Sequence, residues 1–215
     1  MTTSWSVDES HGDAGAFHAL DPVAERSATF HTVDRPTLVL GSAQRDSDVD
    51  RRVAEALGVD VVRRRSGGGA VLLWPGEFVW LDLVIPAADP LWSADVGRAM
   101  VWVGELWQRA LGEVGVGGEV HRGGLQSSAW SRQVCFAGMG TGEVMAGESK
   151  LVGISQRRTR HYARFQSMAH LRWRPELAAA LVAAPRPTAA ELASVASPVE
   201  LDAPTLTDRL RTNLP

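Results

Sequence analysis

The sequence predicts a mixed α/β domain, from three observations. Residues 78–86, FVWLDLVIP, form a continuous β-branched and aromatic run that ends at proline, the pattern of a buried strand. Residues 94–113 place Val96, Met100, Val103, Trp107 and Leu111 at helical spacing, and glycines 112, 115, 117 and 118 close the segment. The other strand candidates are not regularly interleaved with helices, which argues against a doubly wound parallel sheet.

The elements follow in chain order. Residues 1–14 are polar at the start and read as a flexible tail, with a single domain over 15–215. Residues 29–33 and 37–41 are short strands separated by Arg35-Pro36. Ser47 can cap a helix over 48–57, with Val49, Val53, Ala56 and Leu57 on one side and Gly58 as its stop. A strand at 59–62 precedes a glycine-rich turn. Further strand candidates lie at 133–137, 143–146 and 150–155. Residues 175–184, 188–196 and 204–213 read as helices separated by prolines.

Composition excludes several classes. An apolar fraction of 45% and a charged fraction of 22% are those of an ordinary soluble globule. A net charge of −3 argues against a general nucleic-acid binder. No apolar run approaches the roughly 18 residues of a membrane helix, and the N-terminus lacks a signal-peptide layout. The single cysteine cannot form an internal disulfide, which fits a cytoplasmic location.

Two stretches carry chemistry. In VVRRRSGGGAVLLW, residues 61–74, arginines at a strand end run into three glycines. Bare glycines let backbone approach a ligand closely, and their N–H groups can form an anion-binding concavity. Arg63 and Arg64 would add bidentate donors for a phosphate or carboxylate. A solvated hairpin loop is the plainer alternative. The turn is neither a P-loop, since no Gly-Lys-Ser/Thr follows, nor a GxGxxG turn.

The second stretch, residues 135–168, contains the only cysteine, the only lysine and the only tyrosine. The 22 basic residues are otherwise all arginine, so Lys150 stands where a compact, flexible point charge is retained. It follows a Gly-Glu-Ser turn and opens the apolar strand LVGIS, where Gly153 allows close approach. Such a lysine can neutralise a phosphate or polarise an acyl carbonyl; an edge-strand lysine that deters aggregation is the alternative.

Together these stretches resemble the lipoate-protein ligase A family. Arg63-Arg64-x-Ser66-Gly67-Gly68-Gly69-Ala70-Val71 is similar to the family's arginine-glycine signature. Lys150-x-x-Gly153-x-x-Gln156-Arg157 is similar to its lysine motif, and Gly41 to an earlier strand-end glycine. The resemblance covers about residues 28 to 172. It implies a fold shared with biotin ligases and class II synthetases, a mixed, largely antiparallel sheet flanked by helices. It further implies ATP- and Mg²⁺-dependent activation of lipoic or octanoic acid to an acyl-AMP, then transfer to a lysine of a lipoyl domain. That domain would belong to a 2-oxoacid dehydrogenase or the glycine cleavage H protein. By that resemblance Arg64, Gly69, Ala70, Val71, Leu72 and Lys150 contact the adenylate or acyl group.

The chain departs from the pattern in two places. Leu73-Trp74-Pro75-Gly76 replaces a His-Asp pair, and Phe165-Gln166-Ser167 replaces a His-containing triplet. Cys135-Phe136 resembles the Cys-Phe pair of the related octanoyltransferases, where the thiol carries the acyl group as a thioester and the donor is an acyl carrier protein. A thiolate is a competent nucleophile, whereas most free cysteines are small buried hydrophobes. Three readings therefore stand: an ATP-dependent ligase, a Cys135-dependent transferase, and a non-catalytic acyl or adenylate binder. The tryptophans read as core, with room among them for an apolar acyl slot. Arg157, Arg158, Arg160 and Arg164 read as a solvated face. His161 and His170 have no metal-ligand spacing, so no resident metal site is read, and Glu77 and Asp82 are unspecific Mg²⁺ partners.

Overall fold

The computed structural model describes residues 4–215. A seven-stranded sheet runs in the order β1-β2-β6-β10-β9-β8-β7. Its strands are β1 (Ser6–Gly12), β2 (Ser27–Val33), β6 (Phe78–Pro86), β7 (Glu119–Val120), β8 (Val144–Ala146), β9 (Ser149–Arg158) and β10 (Tyr162–His170). All neighbours are antiparallel except β1 and β2. A second sheet places β3 (Thr37–Leu40) between β4 (Asp60–Arg63), parallel to it, and β5 (Val71–Leu73), antiparallel. The mixed, largely antiparallel sheet with flanking helices is the predicted architecture.

Strand β6 lies inside the sheet, between β2 and β10, which is why its sequence is almost wholly apolar. The long helix α3 (Val96–Gly112) is capped by the Asp95 carboxylate, which accepts from the Arg98 N–H at 3.0 Å. It buries Val103, Leu106, Trp107 and Leu111 against Val79, Leu81, Leu83 and Ile85 of β6 and Phe165 of β10. The opposite face of the large sheet presents Phe78, Trp80 and Met168 to Val39 and Leu73 of the small sheet and to Phe136. The two sheets thus pack through one layer of side chains, to which Cys135 and Phe136 belong.

Several elements differ from expectation for identifiable reasons. The predicted tail is strand β1 from residue 6 to residue 12; residues 1–3 lie outside the described residues. Its polar sequence suits an exposed edge, and Trp5 Nε1 anchors the preceding turn by donating to Pro215 O at 2.7 Å. A short helix, α1 (Ala14–Ala19), follows, capped by Asp13. Helix α2 spans only Arg51–Ala56, because Asp50 and not Ser47 is its cap, while residues 46–48 form a 3₁₀ turn. Residues 133–137 contain no strand: Val134 makes one bridge to Ala70, and Cys135–Ala137 is a 3₁₀ turn. Helix α4 is Pro175–Leu181, and α5 is Ala189–Leu192. Beyond α5 the chain pairs with Lys150, with Lys150 N donating to Val195 O and Ser197 N to Lys150 O, both at 2.9 Å. Helix α6 is Ala203–Thr212.

Charged groups on the large sheet are buried and partnered. Arg164 on β10 and Asp82 on β6 are both 4% exposed or less and paired at 2.9 Å through Nε. Asp82 also accepts from Trp80 Nε1 at 2.7 Å, and His31 Nε2 lies 3.3 Å away. Arg164 donates to Leu20 O and Phe17 O, tying the α1 region to the sheet. Burial pushes the Asp82 carboxyl up, but His31 and Arg164 outweigh it and hold it down at about 2. The solvated-face reading of Arg164 is therefore corrected.

Burial also lowers His170 to about 3 and, with Arg64 and Arg164 assisting, His18 to about 4. All three groups bind protons less readily folded than unfolded, so the unfolded state gains protons as pH falls. Stability is predicted to be full above about pH 6.5, the unfolded imidazole value, and to decline below it by up to ~1.4 kcal/mol per pH unit per histidine. Urea denaturation at pH 7, 5.5 and 4.5 measures this, and His170→Phe should make the decline shallower.

Candidate active site

The glycine turn between β4 and β5 is built around Arg64. Its side chain is directed inward, and the residue is 4% exposed. Its Nη2 donates to Gly67 O at 2.7 Å and Gly69 O at 2.8 Å, Nε to Gly67 O at 3.2 Å, and Nη1 to Val39 O at 3.3 Å. Nη2 also lies 3.9 Å from Cys135 Sγ. Arg63 donates to Gly41 O, Gln44 O and, at 2.7 Å, to Asp46 Oδ1. In this structure the hydrogen bonds of Arg64 hold the glycine turn, and those of Arg63 hold the loop that follows β3. A turn of consecutive glycines exposes carbonyls that no regular ladder satisfies, and a buried guanidinium satisfies several at once.

The glycines are required sterically. A Cβ on Gly41 would sit 1.9 Å from Gly68 O, and Gly68 itself has φ of +99°, with Arg64 Nη2 2.9 Å from any Cβ. Ser66 Oγ donates to Ser155 Oγ at 3.0 Å, fixing the turn to β9. Gly67, Gly68 and Gly69 line an open groove. Ala70 N–H donates to Gln133 O and Cys135 N–H to Ala70 O, which seats the Cys135 turn beside the glycines. Val71 faces an inner cavity, whereas Leu72 packs into the separate cluster with Leu38, Leu40 and Leu181. Leu72 is thus not brought to that cavity, since alternation along β5 turns it away.

Lys150 is 2% exposed and Glu143 4%. Lys150 Nζ donates to Cys135 O and to Glu143 Oε1, each at 2.8 Å, and lies 2.8 Å from Glu143 Oε2. Glu143 is further held by Gly140 N–H at 2.6 Å and Ile154 N–H at 3.3 Å. The ammonium also lies 5.4 Å from the centre of the Phe136 ring. Lys150 is therefore no edge gatekeeper; it is half of a buried ion pair that fixes the carbonyl of the cysteine. Glu143 was not among the sequence candidates. Its signal was the Gly147-Glu148-Ser149 turn, which folds β8 onto β9 and brings a carboxylate seven residues upstream back to the lysine.

Cys135 lines both the groove and a small, partly open cavity of about 50 Å³ between the two sheets. The cavity wall is largely apolar, with Val71, Trp80, Phe136 and Met168 among its members, and its polar groups come from His18, Arg64, Ser155, Gln166 and Ser167. Gly153 leaves room for Phe136, whose ring would meet a Cβ there at 3.3 Å. Cys135 thus lies where the largely apolar cavity meets the groove. Glu77 and Asp82 do not meet here. Glu77 is bonded to Arg174 Nε at 2.6 Å and Asp82 to Arg164, which removes both as free Mg²⁺ ligands.

Comparison with known proteins agrees with this geometry. Residues 16–200 match the model of the lipoyl protein ligase A/B catalytic domain. Over 135 residues the chain is 33% identical to octanoyltransferase LipM of Carboxydothermus hydrogenoformans, an alignment covering 62% of this chain and 48% of that protein. The chain thus spans about half the length of the curated relative it matches. Two solved structures share the fold. One is a bipartite lipoate protein ligase from the lipoylation system of Thermoplasma acidophilum, studied with its E2 lipoyl domain: TM-score 0.73, 15% identity, 96% of this chain and 80% of that one. The other is lipoate-protein ligase A bound with ATP: TM-score 0.71, 16% identity, 99% of this chain and 84% of that one.

Glu143→Gln is predicted to leave the Lys150 ammonium buried without its counter-charge, at a cost of about 3–5 kcal/mol in unfolding free energy. Chemical denaturation checks this. The pair replaced together, Lys150→Met with Glu143→Leu, should recover most of that loss.

Proposed function

The chain belongs to the lipoyl protein ligase A/B catalytic domain family, and from that premise we propose that it transfers a medium-chain acyl group through Cys135 to a lysine of a lipoyl domain. The observation that carries the reading is the position of Cys135 at the junction of the largely apolar cavity and the open groove. The cavity suits an acyl chain, and the groove admits the pantetheine arm of a donor or the lysine of an acceptor.

The chemistry proceeds in two balanced steps. The Cys135 thiolate attacks the carbonyl of an acyl thioester; the new S–C bond forms, the old one breaks, and the donor thiol departs with a proton. The acceptor amine then attacks the Cys135 thioester, forms the amide, gives up a proton, and returns the cysteine. Positive charge on Arg64 lies 3.9 Å from the sulfur throughout. The buried Lys150 holds the Cys135 carbonyl, so that the 3₁₀ turn presents the side chain in one orientation.

An ATP-dependent ligase is the second reading, favoured by the close-packed glycine turn facing the groove. The backbone there suits the approach of a nucleotide. The guanidinium groups of Arg63 and Arg64 are already engaged by carbonyls, however, and Glu77 and Asp82 are bound to arginines, so these residues do not fit a Mg-nucleotide as they stand.

Wild-type protein incubated with octanoyl-pantetheine and quenched in acid should gain one octanoyl mass that hydroxylamine removes. Cys135→Ser should lose the adduct and more than 99% of transfer to a lipoyl domain, about 2.7 kcal/mol or more in barrier. Undiminished transfer by Cys135→Ser that requires lipoate and MgATP would establish the ligase instead.

A further inference from the structure

His18 and Gln166 form a polar corner of the cavity on the α1 side, apart from Arg64 beside Cys135. Phe136 packs over Gly153 on β9; Met168 of β10 is opposite Gly153, and Trp80 of β6 is opposite Met168. His18, from α1, stacks on Trp80 with ring centres 4.7 Å apart. Two strand spacings, about 10 Å, therefore separate the Phe136 side of the cavity from the strand beneath His18. An extended eight-carbon acyl chain anchored at Cys135 spans a comparable length.

The proton on the His18 ring is placed by its neighbours. Asp82 is ionised, held by Arg164, Trp80 and His31, and can only accept hydrogen bonds. Gln166 Nε2 lies 3.4 Å from Asp82 Oδ2 and 3.2 Å from His18 Nδ1. An amide group has two donors on its nitrogen, and turning its oxygen toward Asp82 would set two acceptors against each other. Gln166 therefore donates to both, and His18 Nδ1 accepts. Burial lowers His18 to about 4, so the ring is neutral near pH 7 and carries its single proton on Nε2. Among the described residues the ring's only hydrogen bond is that through Nδ1, and the ring lines the cavity.

We infer that His18 Nε2–H is a specificity donor on the α1 side of the cavity, selecting acyl chains with a hydrogen-bond acceptor there over saturated hydrocarbon chains. The inference rests on reading the cavity as the acyl site. A dithiolane sulfur and a terminal hydroxyl are two sources of that acceptor. Against a plain hydrocarbon the N–H is left desolvated and unpaired, whereas an acceptor satisfies it.

Isothermal titration of the full chain with lipoate, 8-hydroxyoctanoate and octanoate tests this without any catalytic step. Wild type should bind at least one of the two acceptor-bearing acids about tenfold tighter than octanoate; which one separates sulfur from oxygen as the acceptor. His18→Phe keeps the stack on Trp80 and should bring the ratio to about one or below. Gln166→Leu frees Nδ1 to take the proton and should weaken the preference, with the imidazole still present. Octanoate binding as tightly as both other acids in wild type, or an unchanged preference in folded His18→Phe, overturns the inference and leaves the acyl site standing. Absence of binding by all three acids overturns the acyl site and the inference with it.

Discussion

One buried guanidinium organises the region between the two sheets. Arg64 leaves the end of β4 and turns back beneath the glycines, where it bonds the carbonyls of Gly67, Gly69 and Val39. Without it the buried Gly69 carbonyl would lose its partner, at a cost of about 1–3 kcal/mol. With it the turn is rigid enough for Ala70 to bridge to Val134, which fixes where Cys135 begins its 3₁₀ turn. The same guanidinium reaches the sulfur. Turn, bridge and thiol are thus one unit, and Gly41 is glycine because Gly68 O occupies the space of its side chain.

Two further charged pairs hold the remaining sides. Lys150 and Glu143 close the β8–β9 end of the site, and Asp82 with Arg164 closes the end under α1. Buried pairs are poor sources of net stability, since desolvation offsets most of the attraction. They are strict in geometry, however, because any displacement leaves a charge unpaired. Such pairs fix the strands that carry the cavity wall, while the Met168 side chain in that wall remains adaptable.

Strand β6, helix α3 and the β8–β9 hairpin were legible because periodicity and turn residues act locally. Strand β10 was not, because Arg164, Gln166, Ser167 and His170 break the apolar pattern of an interior strand. They are tolerated there by partners distant in sequence: Asp82 for Arg164, Leu81 O and Trp107 for Ser167. Strand β1 was missed for the opposite reason, as an exposed edge needs no apolar face. In the site, the glycine turn, Cys135 and Lys150 were visible as residue types. The direction of Arg64 was not, since a sequence shows a cation's presence and not which acceptors lie nearer than a ligand. His18 was invisible because its role depends on contacts that only the folded chain makes, and Glu143 could be reached only through the hairpin turn that precedes Lys150.

Lys150 is the only lysine in the chain, and it is shut inside the protein against Glu143. All other cationic side chains are arginines or histidines, which do not form stable amides with activated acyl groups. A catalyst that hands acyl groups to lysine on other proteins would, in this chain, offer them no side-chain amine of its own on the surface. If the proposed transfer is its activity, composition and burial together leave no side-chain amine of this chain exposed to the acyl group.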